Sequence, residues 1–204
     1  MYSKRSSLII GFHGCDESVR DQLVNNKALF KKSENDYDWL GHGMYFWEND
    51  PARALEFAKF KKEHPQPGKK PIEHPSVVGA VINLGLCLDL INSSSLELLK
   101  VGHEILLQNL NTFGVPPRNK PLKSGQDLVF RYLDCAVIET LHVSREKTNL
   151  PAFDSVKGVF WEGNELYENA GFREKNHIQI CIRNPNCIKG FFIPRESEAD
   201  FSIP

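Results

Sequence analysis

The chain has 204 residues, of which 41% are hydrophobic and 25% are charged, a composition typical of one globular domain with a sizeable core. Its formal net charge of -1 excludes a global electrostatic attraction to nucleic acid or to anionic membranes. No apolar run approaches the roughly 20 residues of a membrane-spanning helix, and the first residues lack the pattern of a secretory signal. We therefore expect a cytoplasmic protein.

The cysteines agree with this expectation, because their number is odd and most are far apart: Cys15, Cys87, Cys135, Cys181 and Cys187. Free thiols are the simplest interpretation. The pair that is closest in sequence, Cys181 and Cys187, flanks a turn in which two thiols can face each other without having to do so. No C-x-x-C spacing indicates a zinc site.

The first predicted element is a buried strand over 8–12 that stops at His13-Gly14. A helix is expected over 16–30, and after a polar stretch two glycines predict a tight turn before a short aromatic strand within 39–47. The next helix has a clear start, because Asp50 suits the N-cap and Pro51 the first helical position.

The middle of the chain alternates between loop, strand and helix signals. Residues 59–75 are rich in lysine and proline and predict a solvated loop. A β-branched run over 76–90 predicts a central strand. Helical spacing follows over 96–110 and 128–147.

Two strands close the chain, over 177–182 and 188–193, and the Asn184-Pro185-Asn186 turn between them suggests an antiparallel hairpin. Strands at both ends with helices inserted between them predict an α+β fold.

Three separated segments carry the strongest functional signal: Phe12-His13-Gly14, Gly43-Met44-Tyr45-Phe46, and the strand over 177–182 that contains Gln179. In this order, each at or beside a strand, they resemble the three conserved strands of the diphtheria-toxin and poly(ADP-ribose)-polymerase type of ADP-ribosyltransferases, whose pattern is His, Tyr, Glu. The resemblance implies one domain over 1–204 with an ADP-ribosyltransferase-like split antiparallel β core. A helical region at about 93–148 is then an insertion.

The same resemblance implies NAD as co-substrate and no metal. It places His13 on the adenosine ribose, the Gly14 backbone on the nicotinamide carboxamide and Tyr45 against the nicotinamide ring. Phe57 would cover the other ring face, with a one-residue shift relative to the family. Gln179 occupies the position of the family's glutamate. A helical hydroxyl of many members has no match, since the candidate positions hold Arg53 or Ala54.

Glutamine in the glutamate position changes the expected chemistry. Cleavage of the bond between nicotinamide and ribose builds positive charge on the sugar, and an amide stabilises it less than a carboxylate does. We expect a deficit of about 1 to 2 kcal/mol, or roughly tenfold in rate. Because Gln179 also cannot deprotonate an acceptor, a single transfer, mono-ADP-ribosylation, is favoured over chain elongation.

The resemblance also indicates where the acceptor binds. In related toxins the residue two positions before the glutamate helps to select the target, and here that residue is His177. An imidazole can accept the acceptor's proton near neutral pH. The preceding loop, 162–176, carries residues suited to gripping a target: Tyr167, Phe172, Arg173 and Lys175.

Each of these residues has a plainer interpretation when it is taken singly. His13 can be a structural histidine, Tyr45 a core residue and Gln179 the polar side of a half-exposed strand. The lysines over 59–70 predict a solubilising loop, with phosphate contact as the alternative.

Two other patterns are set aside. Gly41-His42-Gly43 lacks the third glycine and the helix of a dinucleotide fingerprint. Glu139 and His142 have the spacing of a carboxylate-bridged metal site, but without a second pair they predict a solvated helix face.

The sequence therefore predicts an NAD-dependent mono-ADP-ribosyltransferase that modifies a protein side chain or a nucleic-acid base. Its size and solitary architecture are those of many bacterial toxins and anti-phage defence effectors, for which a neutralising antitoxin protein is an expected partner. Two alternatives stay open: an NAD glycohydrolase, in which water is the acceptor, and an inactive module that binds NAD or ADP-ribose.

Overall fold

A computed structural model describes residues 8–27, 30–110, 114–121 and 127–196. Its strands are β1 (Ile9–Asp16), β2 (Met44–Glu48), β3 (Pro75–Ile82), β4 (Cys87–Asp89), β5 (Ser155–Phe160), β6 (His177–Ile182) and β7 (Ile188–Phe192). Its helices are α1 (Glu17–Val24), α2 (Pro51–Glu63), α3 (Ser93–Asn109) and α4 (Tyr132–Lys147). The predicted α+β class is confirmed. Over these ranges no helix is both long and apolar enough to cross a membrane.

The strands form one sheet in the order β4-β5-β6-β2-β1-β3-β7. All neighbours are antiparallel except β4 and β5, which are parallel. Strands β1, β2 and β6 are thus adjacent at the centre of the sheet although they are far apart in the sequence.

Each face of the sheet buries its own apolar cluster, as the two-residue period of β-strands requires. On one face, which we call the α1 face, Met44 and Phe46 of β2 pack with residues of β3 and β6, and Leu23 of α1 joins a neighbouring cluster there. On the opposite face, the α2/α4 face, Ile138 and Leu141 of α4 pack on residues of β5 and β6. All five cysteines are buried, and none forms a disulfide.

Strand β1 is longer than the sequence predicts. It continues through His13 and Gly14 to Asp16, because β3 pairs with it from Ile9 to Asp16. Its ladder with β2 contains only the pairs Gly11–Glu48 and Phe12–Trp47. The two strands therefore part at His13, where β1 is still held by β3.

The predicted hairpin between the last two strands is wrong. β6 pairs with β5 and β2, whereas β7 pairs with β3 at an edge of the sheet. The intervening Pro185–Cys187 segment is a 3-10 turn that begins at Asn184, whose side chain accepts a hydrogen bond from the Asn186 backbone. The Asn83 backbone then donates to the Cys187 carbonyl (2.8 Å), which directs the chain to the edge of β3.

Several predicted boundaries also move. The strand predicted over 76–90 is interrupted over 83–86, between β3 and β4, where Gly85 has a φ of +59°. The loop predicted over 59–75 begins later, because α2 extends to Glu63. The helix predicted over 128–147 begins at Tyr132.

Helix α1 ends well before the predicted position 30. Asn25 and Asn26 terminate it, Asn26 in a left-handed conformation with a φ of 54°. Residues 28 and 29 of that prediction lie outside the described residues.

Strand β5 was not predicted, since it carries a lysine and a glycine within its apolar residues. Lys157 is only 3% exposed, and its ammonium lies 2.5 Å from a carboxylate oxygen of Glu48 on β2. Removing one partner of such a buried pair costs about 3 to 5 kcal/mol, so the pair ties β5 to the core.

The start of α1 is anchored by one carboxylate. Asp16 accepts hydrogen bonds from the Ser18 backbone (3.0 Å) and hydroxyl (2.6 Å) through one oxygen. Its other oxygen accepts from the Glu73 (2.9 Å) and His74 (3.0 Å) backbones. The hydrogen bond from the Ser18 hydroxyl, followed by those from the backbone, holds the pKa of Asp16 well below its usual range.

We expect Asp16→Asn to lower the free energy of unfolding at pH 7 by about 2 to 3 kcal/mol, since hydrogen bonds to the charged group are lost. The wild-type advantage is present above the unfolded-state pKa of about 4 and declines as the pH falls further, because the folded carboxylate resists protonation. Urea unfolding at pH 7 and pH 3 measures both effects. Asp36→Asn, at an exposed position, is the control; equal loss in both variants would contradict this role.

Candidate active site

Where the ladder between β1 and β2 ends, the ring of His13 connects the two strands. Its Nδ1 lies 2.8 Å from the carbonyl oxygen of Tyr45, and since a carbonyl only accepts, Nδ1 carries the hydrogen. The other ring nitrogen, Nε2, is then an acceptor in the neutral ring. Phe30 and Phe46 lie edge-on to the ring at 4.6 and 6.1 Å.

Burial lowers the pKa of His13 to about 4, against the opposing hydrogen bond to Tyr45 and with help from the positive charge of Lys61. The ring is therefore neutral at physiological pH. A neutral imidazole in a fixed tautomer can accept a hydrogen bond from a hydroxyl, the role that the resemblance implies for a ribose contact.

Gly14 faces the α2/α4 side of the sheet, where α2 lies directly on it. A Cβ at this position would be 1.9 Å from the carbonyl oxygen of Ala54 and 3.2 Å from the side chain of Ala58. No side chain fits in this space. The close approach of helix α2 therefore requires a glycine here, independently of the cofactor contact that the resemblance implies.

The Tyr45 ring is fixed by its hydroxyl. The hydroxyl donates to the Gly41 carbonyl (2.6 Å) and accepts from the Leu40 backbone (2.8 Å). Burial raises the pKa of Tyr45 well above its usual value, so the phenol stays protonated. Gly41 has a φ of +76°, which a side chain rarely adopts and which the tight turn before β2 requires.

Helix α4, within the predicted insertion, holds the same turn from outside. Glu139 accepts from the His42 backbone (2.8 Å) and pairs with Arg183 (2.5 Å), which also donates to the His42 carbonyl. Burial raises the pKa of Glu139, but the hydrogen bonds from Arg183 and His42 outweigh it and hold the pKa below its usual value. Helix α4 thus supports the segment that positions Tyr45.

The predicted solvated helix face at Glu139 and His142 is wrong, because His142 is 7% exposed and Glu139 is engaged by Arg183. Both ring nitrogens of His142 are buried without a hydrogen-bond partner among the described residues. Among all the residues that the structure describes, no group of three or more His, Cys, Asp or Glu side chains is arranged to hold a metal ion.

Gln179 lies on the α2/α4 face between Trp47 of β2 and Gly158 of β5. It is partly exposed, and within the described ranges its amide forms no hydrogen bond. The amide is therefore available to a ligand. Tyr45 and Trp47 point to the same face of β2, by the alternation of the strand.

Phe57 of α2 completes an aromatic wall on this face. Its ring lies 5.0 Å from that of Trp47, between centroids, and the Lys61 ammonium lies 4.8 Å from its centroid. Sequence reasoning missed Trp47 and Lys61. The alternation of Tyr45 and Trp47 along one strand was a signal for the first, and the helical spacing of Phe57 and Lys61 was a signal for the second.

The structure therefore brings Gly14, Tyr45, Phe57 and Gln179 to one face, from three adjacent strands and the helix that covers them. The side chain of His13 points from β1 toward the α1 face instead, as its contacts with Phe30 and Phe46 show. Its link to the group is the hydrogen bond to the Tyr45 carbonyl.

His177 is less accessible than a proton acceptor should be. Its side chain is 0% exposed, its Nδ1 donates to the Lys175 carbonyl (2.7 Å), and burial lowers its pKa. The rings of Trp39, Trp47 and Phe160 surround it. Its proposed role stays a prediction, and this burial weighs against direct contact with an acceptor.

In the predicted target loop the aromatic residues are exposed to solvent, whereas the cationic residues form ion pairs within the protein. Tyr167 is 63% and Phe172 is 62% exposed. Arg173 pairs with Asp127 (3.1 Å), and Lys175 pairs with Glu56 of α2 (3.1 Å).

A second ion pair joins the same elements, since Arg53 of α2 lies 2.9 Å from Glu162 at the start of the loop. The loop is thus tied to α2. Trp161, 59% exposed, adds a further apolar side chain to the outer surface of this region.

Comparison with known proteins shows a distant similarity. An uncharacterized protein of the archaeon Methanocaldococcus jannaschii is 22% identical to this chain over 192 residues, covering 87% of the chain and 83% of that protein. No family model matches the chain. No solved structure matches it either.

We expect Gly14→Ala to destabilise the fold by more than 3 kcal/mol, because the new Cβ would collide with the backbone of Ala54 rather than with a movable side chain. Gly190→Ala is the matched control in β7, where the added Cβ meets no atom within 4 Å. Thermal unfolding of both variants measures the difference. A Gly14→Ala protein as stable as Gly190→Ala would show that α2 does not rest on β1 as described.

Proposed function

We propose that this chain is an NAD-consuming mono-ADP-ribosyltransferase with an ADP-ribosyltransferase-like split antiparallel core. The observation that carries the proposal is the convergence of Gly14, Tyr45 and Gln179 from β1, β2 and β6, three strands that are distant in sequence and adjacent in the sheet. The resemblance in sequence requires this adjacency, and an unrelated α+β fold does not.

The arrangement of the strands supports the same proposal. The ladder between β1 and β2 ends at Phe12 and Trp47, although β1 stays paired with β3 as far as Asp16. Helices α3 and α4 occupy the stretch expected to be an insertion. In the proposed complex, the dinucleotide lies where this ladder ends, against the backbone of both strands.

The proposed roles follow from the chemistry of each group. The neutral His13 ring accepts a hydrogen bond from the adenosine ribose, and the Gly14 backbone binds the carboxamide. Tyr45 and Phe57 cover the nicotinamide ring. Gln179, whose amide is uncommitted, accepts a hydrogen bond from the ribose next to nicotinamide.

The transfer itself needs no redox step. The bond from the ribose anomeric carbon to nicotinamide breaks, and nicotinamide leaves as a neutral molecule with the bonding electron pair. The acceptor's lone pair forms the new bond to that carbon, and the acceptor releases a proton. Fixed groups that orient the sugar lower this barrier because the cost of ordering is met on binding.

The loop before β6 supports a macromolecular acceptor rather than water. Trp161, Tyr167 and Phe172 are all more than half exposed, and large exposed aromatic residues are typical of binding surfaces. We further propose a toxin or defence effector that acts on a protein or nucleic acid and is held in check by an antitoxin. The basis of this step is the analogy in size and architecture.

A binding module without catalysis is the second candidate, because Gln179 replaces the charged residue on which the reaction depends. The two functions differ in nicotinamide release: a transferase liberates it and labels an acceptor, whereas a binding module does neither. An NAD glycohydrolase would release nicotinamide without labelling anything.

We expect purified protein, incubated with adenine-labelled NAD and cell lysate, to label a macromolecule and release nicotinamide. Gln179→Ala should lower the rate at least tenfold through loss of the sugar contact, and Gln179→Glu should raise it about tenfold. Gln108→Ala, at an exposed position on α3, is the control. Protease and nuclease treatment of the labelled product assigns the acceptor class.

The remaining outcomes separate the candidates. Nicotinamide without labelled acceptor would favour the glycohydrolase. NAD binding by calorimetry with turnover only in Gln179→Glu would identify a binding module. Absence of both binding and turnover would rule out the proposed function.

A further inference from the structure

The face of helix α2 that packs on the sheet is apolar at first and carries a charged residue near its end. Ala54 and Ala58 are fully buried against β1, and Phe57 packs on Trp47. Lys61 follows at the same helical spacing, one turn beyond Phe57. Its side chain is therefore carried along the face of α2 that covers the site.

The ammonium of Lys61 forms no ion pair with the residues that the structure describes. It lies 4.8 Å from the centre of the Phe57 ring, and no hydrogen bond or ion pair holds it within the described residues. The two other lysines of α2 differ: Lys62 donates to the Glu73 carbonyl (2.8 Å), and Lys59 is exposed. An uncommitted, partly buried cation beside the site is a ready anion contact.

The charges around this ammonium are mixed but leave it uncompensated. Burial lowers the pKa of Lys61, the nearby charge of Lys69 lowers it further, and Asp38 raises it. Asp38 already accepts hydrogen bonds from the Asn35 backbone (3.0 Å) and side-chain amide (3.1 Å). Lys69 donates to the same asparagine side chain (3.3 Å), so a second cation lies on this side of the site.

Lys61 also contacts the group proposed to hold one end of the dinucleotide and acts electrostatically on the group proposed to hold the other. Its ammonium contacts Phe57, which covers nicotinamide, and its charge acts on His13, which binds the adenosine ribose. The two phosphates of NAD connect these ends. A cation that contacts one of these groups and acts on the other is placed to meet the connecting phosphates.

We propose that Lys61 binds the pyrophosphate of the dinucleotide, with Lys69 as a second, outer positive charge. This inference rests on the proposed function, since it assumes that NAD lies in this site. Lysine binds phosphate as a compact point charge, and partial burial strengthens the attraction because solvent screening is reduced.

Calorimetric titration of the full chain tests this assignment with three probes: NAD, ADP-ribose and nicotinamide riboside. The variant Lys61→Met keeps the length of the side chain and removes its charge. We expect it to bind NAD and ADP-ribose 10- to 100-fold more weakly and with less salt dependence, and to bind nicotinamide riboside, which has no phosphate, as the wild type does. Lys61→Arg should retain most of the affinity, and Lys59→Met is the matched control.

The outcomes distinguish failure of this inference from failure of the proposed function. If the wild type binds NAD and Lys61→Met binds it equally well, the pyrophosphate assignment is overturned and the proposed function stands. If Lys61→Met loses nicotinamide riboside to the same extent as NAD, Lys61 supports the site structurally and the assignment is also overturned. If the wild type binds neither NAD nor ADP-ribose, both proposals fail.

Discussion

The close contact between α2 and β1 at Gly14 is the constraint on which the rest of the site depends. The carbonyl of Ala54 occupies the space in which any side chain at position 14 would begin. This contact sets the distance between α2 and the sheet. The positions of Phe57 against Trp47 and of Lys61 beyond it follow, since both project from the same face of a rigid helix.

The unequal pairing of β1 has the complementary effect. β3 holds β1 along its whole length, whereas β2 holds it at only two residue pairs. His13 fills the first position after the pairs end and bonds the Tyr45 carbonyl, so the two strands remain connected by a side chain where the backbone ladder has stopped.

The sequence predicted the elements that local chemistry determines. Asp50 caps α2 by accepting from the Arg53 backbone (2.9 Å), as the Asp-Pro pair indicated, and β6 has the bounds that its alternating isoleucines predicted. The α+β class followed from the order of these signals. The resemblance predicted that His13, Tyr45 and Gln179 converge. The strands that carry them are adjacent, but the His13 ring points to the α1 face, whereas Tyr45 and Gln179 lie on the α2/α4 face.

What the sequence could not supply were the consequences of tertiary contact. The turn at Asn184 resembles a hairpin turn, but the bond from Asn83 to Cys187 leads the chain to a different strand. Strand β5 could not be predicted, because the residue that neutralises the buried charge of Lys157 is Glu48, which is remote in sequence. The burial of His177 arises from aromatic residues of other segments, so an exposed imidazole was the natural expectation from position alone.

A crystal structure of the protein with an unreactive NAD analogue would show whether Gly14, Tyr45 and Gln179 bind one ligand. We expect the nicotinamide ring to lie against Tyr45 beside the Gly14 backbone, with the adjacent ribose within hydrogen-bonding distance of the Gln179 amide. An analogue bound elsewhere on the molecule, or these three residues contacting no part of it, would disprove the proposed site.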